Sequence, residues 1–259
     1  MSLVKTPQEI ESLRRGGEIL SRILRECAQA CVAGVTTEEL DAIARKRMTE
    51  VGAVPSFFGY QIDPSGPGFS GALCVSINDE VVHGPPLPAR VIPASAIVGL
   101  DIGMWYEGLA TDMATTVIVG TVSPRTQELV RDTRASLVAG LSAIKAGGFV
   151  SDIGSAIEES LQGKKYGIVR DLVGHGVGHE VHEAPQVPNY RERRAPRVVL
   201  RTGMVLAIEP MVTLGTWHVH MLPDEWTIVT DDGSWCAHFE VSVAVTDEGY
   251  ELLTPWPDA

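Results

Sequence analysis

Cysteine is scarce in this chain. There are four in 259 residues, Cys27, Cys31, Cys74 and Cys236, and none stands at CxxC spacing. Cysteine at this density predicts reduced thiols in a cytoplasmic protein, not a disulfide scaffold. Long apolar runs are missing too. No stretch approaches the roughly eighteen residues of a membrane span, and no apolar core with a cleavage site follows the N-terminal Met-Ser-Leu-Val-Lys-Thr-Pro. A soluble protein with no membrane partner is expected. Basic residues are outnumbered, 21 Lys and Arg against 33 Asp and Glu, for a net charge of −12. That balance argues against a nucleic-acid substrate or an anionic membrane surface. The small basic cluster Arg191, Arg193, Arg194 and Arg197 is read as a solvated loop.

With 44% hydrophobic and 21% charged residues the chain can bury a full core. No shift in composition marks a linker, so residues 1–259 are read as one domain. Thr6-Pro7-Gln8-Glu9 has the hydroxyl cap, proline and acidic third position of a helix start, and apolar residues then recur at helical spacing until Gly34. A second helix is expected from Thr36 or Thr37 to Gly52. Strands are expected over 72–77, 97–105 and 109–119. Helices over about 124–146 and 151–161 follow, then strands near 167–173, 198–200, 205–209, 225–229, 236–245 and 250–252. Helix, helix and strands thus occur twice, as if one architectural unit were used in both halves.

Asp101 and Asp112 flank the turn-like stretch Trp105-Tyr106-Glu107-Gly108. An even-numbered hairpin loop there pairs Asp101 with either Asp112 or Ala114, and both registers put the two carboxylates on one face. At roughly 4 Å and an effective dielectric of about 20, such a pair repels by about 4 kcal/mol, and a cation is the usual remedy. His175, His179 and His182 lie in a run punctuated by Gly174, Gly176 and Gly178. The glycines exclude a stable helix, and the spacing is not that of HExxH, so close approach of a ligand to the backbone is the better reading. Glu209 precedes Pro210 and should close a strand with its side chain on the Val205 and Ala207 face. Glu240 shares a strand face with Ser242 and Ala244, either as a solvated residue or as a buried ligand. Together, four carboxylates and one imidazole would balance two divalent cations, which lower the pKa of bound water and bring hydrolysis within reach. Oxygen donors with one imidazole suit Co, Mn, Fe(II) or Zn.

Several segments together resemble the type I methionine aminopeptidases. They are Asn78 to Gly84, Asp101 with Asp112, Gly174 to Gly178, His182 to Val187, Ile208 to Met211 and Phe239-Glu240. The resemblance runs from about Thr6 to Thr254 and implies the α/β (α+β) pita-bread fold, with pseudo-two-fold halves and a curved antiparallel sheet covered by helices. It implies that Asp101 chelates one metal and that Asp112 and Glu240 bridge both. His175 and Glu209 would hold the second, with Glu209 also moving a proton. His83 would meet the substrate amine or leaving nitrogen, and His182 the scissile carbonyl. Tyr60, Phe69, Cys74 and Trp226 carry over as the methionine pocket.

The implied activity is removal of initiator methionine from nascent polypeptides before a small second residue, by a cytoplasmic monomer that meets the ribosome transiently. The short interval between His182 and Glu209 favours type I over type II. Departures from the pattern are Phe57, Val181 and Val241. His179 and His238 are extra histidines expected behind the ligands or at the surface, and His218 and His220 belong on an exposed loop. Two other readings stand beside the first. One is a proline-specific Xaa-Pro peptidase of the same fold, which usually carries an additional N-terminal domain. The other is a catalytically silent binding module, which typically loses ligands.

Overall fold

The computed structural model describes residues 3–61, 63–192 and 197–257. The first half contains helices α1 (Pro7–Ala30) and α2 (Thr37–Glu50), then strands β1 (Val54–Pro55), β2 (Leu73–Ile77), β3 (Glu80–Val82), β4 (Ser95–Tyr106) and β5 (Leu109–Gly120). The second half opens with α3 (Pro124–Ser142) and α4 (Val150–Ser160). Strands β6 (Gly167–Ile168), β7 (Gly174–Gly176), β8 (Glu183–Val187), β9 (Val205–Ile208) and β10 (Met211–Thr213) follow. The chain ends through β11 (Val219–Met221), β12 (Ile228–Thr230), β13 (Cys236–His238), β14 (Val241–Val245) and β15 (Tyr250–Leu252). Each half therefore has a pair of helices followed by sheet, as the sequence suggested. The two largest pieces are β1-β4-β2 with β5 on β4, and β15-β14-β9-β7-β8. No helix is long and apolar enough to cross a membrane among the described residues.

Local chemistry explains where the helices start. The Thr6 hydroxyl accepts from the Glu9 amide while the Glu9 carboxylate accepts from the Thr6 amide, and Thr36 with Glu39 repeats the arrangement on α2. Leu13, Leu20, Leu24 and Cys27 form the buried stripe of α1, which ends four residues before Gly34. One apolar core packs α1 and α2 against β2 and β4, with Leu20, Leu24, Leu40 and Met48 meeting Leu73, Val98 and Leu100. A second packs α3 and α4 against the other half, with Leu137 and Ile153 meeting Leu206, Val241 and Val243. All four cysteines are free and buried, Cys27 and Cys31 within the first core.

Two features of the sheets position the site. First, β4 and β5 form a twelve-pair hairpin in which Asp101 faces Ala114 and Asp112 faces Gly103. This is the second of the two registers allowed by the sequence. Its two-residue turn places Glu107 (φ 50°) and Gly108 (φ 79°) in the left-handed region that primed hairpin turns require. Second, the segment expected as one strand over 236–245 is two. Strand β13 pairs with β10, β14 pairs with β9, and the break falls at Phe239-Glu240. Val241 faces Ile208 and His238 faces Met211, so Glu209 stands opposite Glu240 where both chains pass from one sheet to the next. The freed Glu240 backbone is taken up by the first half. Glu240 N–H donates to Ala114 O (3.0 Å), and Ala114 N–H donates to Glu240 O (3.2 Å).

Other boundaries moved. The expected strand at 198–200 is an isolated bridge between Phe149 and Val199, and only Gly167–Ile168 of the 167–173 run is strand. Strands β1, β3, β7, β8, β10 and β11 had no predicted counterpart; they are two to five residues long. His218 is exposed as expected, but His220 lies in edge strand β11. In the basic cluster, Arg193 and Arg194 lie outside the described residues, and Arg191 is exposed.

Candidate metal centre

A cavity of about 140 Å³ opens between the halves, and every residue singled out for the site lines it. Asp101 enters from β4, Asp112 from β5 and His175 from β7, while Glu209 and Glu240 enter from the two points where chains change sheet. Asp101, Ala114 and Glu240 lie in one row across neighbouring chains. The position of Asp112 is fixed by Ser242, whose hydroxyl accepts from the Asp112 amide (3.2 Å) and donates to its carbonyl (2.7 Å). Asn189, also fully buried, donates to the Glu209 carbonyl (3.1 Å).

The carboxylates crowd together with nothing to balance them. Asp101 Oδ1, Asp112 Oδ1 and Glu240 Oε1 are buried and have no hydrogen-bond partner. No lysine or arginine lines the cavity among the described residues. Burial pushes the Asp101 carboxyl up to about 7. Asp112 is pushed well above the carboxylate range by burial, then by Glu240 and Asp101, and Glu240 by burial, Glu209 and Asp101. Glu209 is raised by burial, Asp101 and Asp112. The imidazoles move the other way. Burial, and then His182, lowers His175 to about 3 and His83 to about 4; burial alone lowers His182. The rings are therefore neutral at physiological pH. His175 Nδ1–H donates to the Gly176 carbonyl (2.9 Å), which leaves Nε2 as a free lone pair 3.5 Å from Glu209 Oε1.

Orphaned carboxylate oxygens beside a neutral imidazole fit a divalent cation, and these residues lie close enough to share one. Donor atoms of Asp101, Asp112 and Glu240 all fall within 4.8 Å of one another, as do those of His175, Glu209 and Glu240. The two triads share Glu240, so the donor set fits two adjacent ions. A third grouping joins Asp112 to His175 and His182 at the same spacing. Hard oxygen donors with one nitrogen suit Mn, Fe(II), Co or Zn.

Above the carboxylates the wall turns apolar. Phe69 packs edge-on against Trp226 (5.1 Å between ring centres) and Phe57 (6.3 Å), with Cys74 completing the pocket. Tyr60 OH lies 3.3 Å from His182 Nδ1, and the His182 and His175 rings are 4.4 Å apart. His83 has a left-handed backbone (φ 60°), a conformation uncommon for a residue other than glycine. Phe57, named in the sequence as a departure from the family pattern, also lines the cavity, and so does Val82, which sequence reasoning did not assign to it. Val82 directly precedes His83, which was the available signal. His238 is buried with Nε2 unpartnered, 3.9 Å from Glu209 Oε2, and burial followed by His83 lowers it to about 3. His179 is outside the cavity, its Nε2 2.7 Å from Glu9 Oε1.

Known proteins are similar to this chain over nearly its whole length. The model of metallopeptidase family M24 matches residues 11–247. Methionine aminopeptidase 1 of Bacillus subtilis (strain 168) is 42% identical over 98% of this chain and 99% of its own. The methionine aminopeptidase of Clostridium acetobutylicum has the same identity and the same coverage of both chains. The crystal structure of methionine aminopeptidase from Thermotoga maritima superposes with a TM-score of 0.91 at 43% identity, covering 97% of this chain and 98% of that one.

Proposed function

The chain belongs to metallopeptidase family M24, and we propose that it removes the N-terminal methionine from nascent proteins and peptides by metal-dependent hydrolysis of the first peptide bond. The observation that carries this reading is the juxtaposition, in one small cavity, of partnerless buried carboxylate oxygens with an apolar wall of Phe69, Cys74 and Trp226. Ligand pockets usually measure about 300–1,000 Å³. At about 140 Å³ this cavity lies below that range, in keeping with recognition of a single terminal residue.

Asp101, Asp112, His175, Glu209 and Glu240 would hold two divalent ions. When bound, the ions supply an acidified water as nucleophile and Lewis-acid polarisation of the scissile carbonyl. The protein's own groups do the rest. Glu209, whose carboxylate lines the cavity, exchanges a proton with the attacking water and delivers it toward the leaving amine. With the Tyr60 hydroxyl donating to His182 Nδ1, the His182 proton sits on Nε2, where it donates to the scissile carbonyl oxygen. His83, neutral and deeply set, hydrogen-bonds the scissile nitrogen. Tyr60, Phe69, Cys74 and Trp226 surround the methionine side chain, and preference for a small second residue follows from steric exclusion at the mouth.

The same reading treats residues 1–259 as one catalytic domain. It acts as a monomer in the cytoplasm and meets its substrates transiently at the ribosome. The test is release of methionine from Met-Ala-Ser after chelation and stepwise return of Mn, Co, Fe(II) or Zn. Release restored by metal, and absent for the N-acetylated peptide, supports the reading. No release with any of the four ions would overturn it.

A further inference from the structure

The N-terminal segment is fastened to the loop that carries His182. Val4 bridges Met204, and the Lys5 amide donates to Gly203 O (2.8 Å), which lays residues 4–5 beside the start of β9. The Lys5 side chain then runs inward, with none of its surface exposed, and its ammonium pairs with the Glu183 carboxylate, itself 12% exposed. Its stem packs on Gly178 (φ 138°), where an added Cβ would come within 2.5 Å of Lys5 Cε. One turn further on, Glu9 takes the His179 ring on Oε1 (2.7 Å). The partners of the two ties, residues 179 and 183, straddle His182. From the opposite side the loop has one backbone tie to β5, Ala110 N–H donating to Gly178 O (2.7 Å).

An N-terminus can be anchored anywhere on a surface. This one spends a fully buried lysine on the immediate neighbour of His182. Burying an ammonium is costly unless it is paired, so the site tolerates one arrangement of Lys5 and Glu183 and little drift. We propose that Lys5, seconded by Glu9, is a positioning residue that fixes the His182 imidazole against the substrate carbonyl. The inference rests on the role given above to His182. Neither Lys5 nor Glu9 lines the cavity, so both act through the loop.

A double-mutant cycle on the metal-loaded protein tests this, with Met-Ala-Ser as substrate. Displacing a catalytic group by about 1 Å costs on the order of a hundredfold in rate. K5M is expected to lower kcat by about tenfold or more with little change in KM, and K5R to recover part of the loss. In the H182A background, K5M should lower kcat less than twofold, because its effect passes through the missing ring. An equal loss in both backgrounds would overturn the proposal and leave Lys5 a structural fastening. K5M/E183Q removes the pair without stranding a charge, and it repeats the cycle should K5M fold poorly. H179A cuts the second tie at a half-exposed position. A two- to threefold fall in kcat confined to the wild-type background supports the strap, and no fall overturns its second tie. If H182A itself kept full kcat, the proposed role of His182 would fail, whereas the coupling between Lys5 and residue 182 is read separately from that result.

Discussion

Removing metal should leave a protein that is destabilised by its own active site, and Asp101→Asn should relieve it. Asp101 is buried, its Oδ1 has no partner, and its carboxyl is pushed from 3.8 to about 7 by burial. Below about pH 3.8 the carboxyl is protonated both folded and unfolded, and it costs the fold nothing. Between about 4 and 7 the unfolded chain has already released the proton that the folded chain keeps, so the cost grows with pH. It levels off above 7 at about 4 kcal/mol. The asparagine amide lacks that charge but leaves buried groups of its own to satisfy, at about 1–3 kcal/mol. The net expectation for chelated Asp101→Asn at pH 7.5 is a gain of about 1–3 kcal/mol, and Tm should rise by about 2–4 °C for each kcal/mol. Thermal or urea unfolding in EDTA at pH 4, 5.5 and 7.5 measures it, and the advantage should shrink as pH falls and reverse near pH 4, where only the asparagine still carries a cost of about 1–3 kcal/mol. With metal restored the order should invert, because only the wild-type protein gains binding free energy, about 2.7 kcal/mol at a hundredfold excess over Kd. Chelated Asp101→Asn that is no more stable than wild type at pH 7.5 would refute the argument that the Asp101 charge is uncompensated.

Asp112→Ala and Glu240→Ala should each abolish methionine release and metal binding by calorimetry, since each removes an oxygen shared by the ligand set; a fully active Asp112→Ala enzyme would contradict that sharing. Ser242→Ala strips the hydroxyl from both backbone atoms of Asp112, and urea unfolding should show a loss of about 1–3 kcal/mol. Gly103→Ala would drive a Cβ to 2.3 Å from Ser56 Oγ and 3.0 Å from Phe57 Cε1, so the Phe57 loop must retreat and KM for Met-Ala-Ser should rise several-fold. Glu9 is held to about 2, first by the His179 hydrogen bond and then by the Thr6 amide. The stabilisation it gives is present above about 4.5 and fades as pH falls toward 2, so wild type and Glu9→Ala should converge in Tm over that interval, and an NMR titration of the Glu9 carboxyl should report the low value directly.

The hairpin of β4 and β5 was legible because it is local: alternation and loop parity put Asp101 and Asp112 on one face whichever register formed. The faces of Glu209 and Glu240 were legible for the same reason, since Val205 and Ala207 line the inner cluster while Leu206, Val241 and Val243 point into the second core. Their opposition was not. It depends on β9 meeting β14 and β10 meeting β13 across more than twenty intervening residues, and nothing in either segment announces where the chain changes sheet. Short strands such as β7 and β8 escaped because their glycines and proline argue against strand locally, and β10 because it is three residues long and follows Pro210, while pairing with neighbours supplies the order. His238 could be put on the Glu240 face but not beside Glu209, because that proximity follows from the same remote pairing.

The two sheet changes also explain why the ligands can coexist in one small space. A glutamate in the middle of an uninterrupted ladder would have its backbone fixed by two neighbours on the same sheet, and its side chain would stand perpendicular to it. At Glu209 the following proline lacks an amide hydrogen, and the Glu209 carbonyl accepts from the Asn189 side chain. At Glu240 both backbone groups leave β13 and β14 and pair with Ala114 of the first half. The carboxylate of the second half is thereby set by the hairpin that bears Asp101 and Asp112, and not by its own sheet. Misdocking of the halves would separate Glu240 from those aspartates and relieve their repulsion, so in the absence of metal the site works against the docked arrangement. Close docking must then be secured by the Ala114 pairing, by the Ser242 bonds to Asp112 and by the apolar cluster joining Ala110 and Leu109 to Val205 and Ala244. A cation shared by carboxylates from both halves would reverse the sign of that electrostatic contribution, so metal binding would strengthen the docking of the halves and be linked to it.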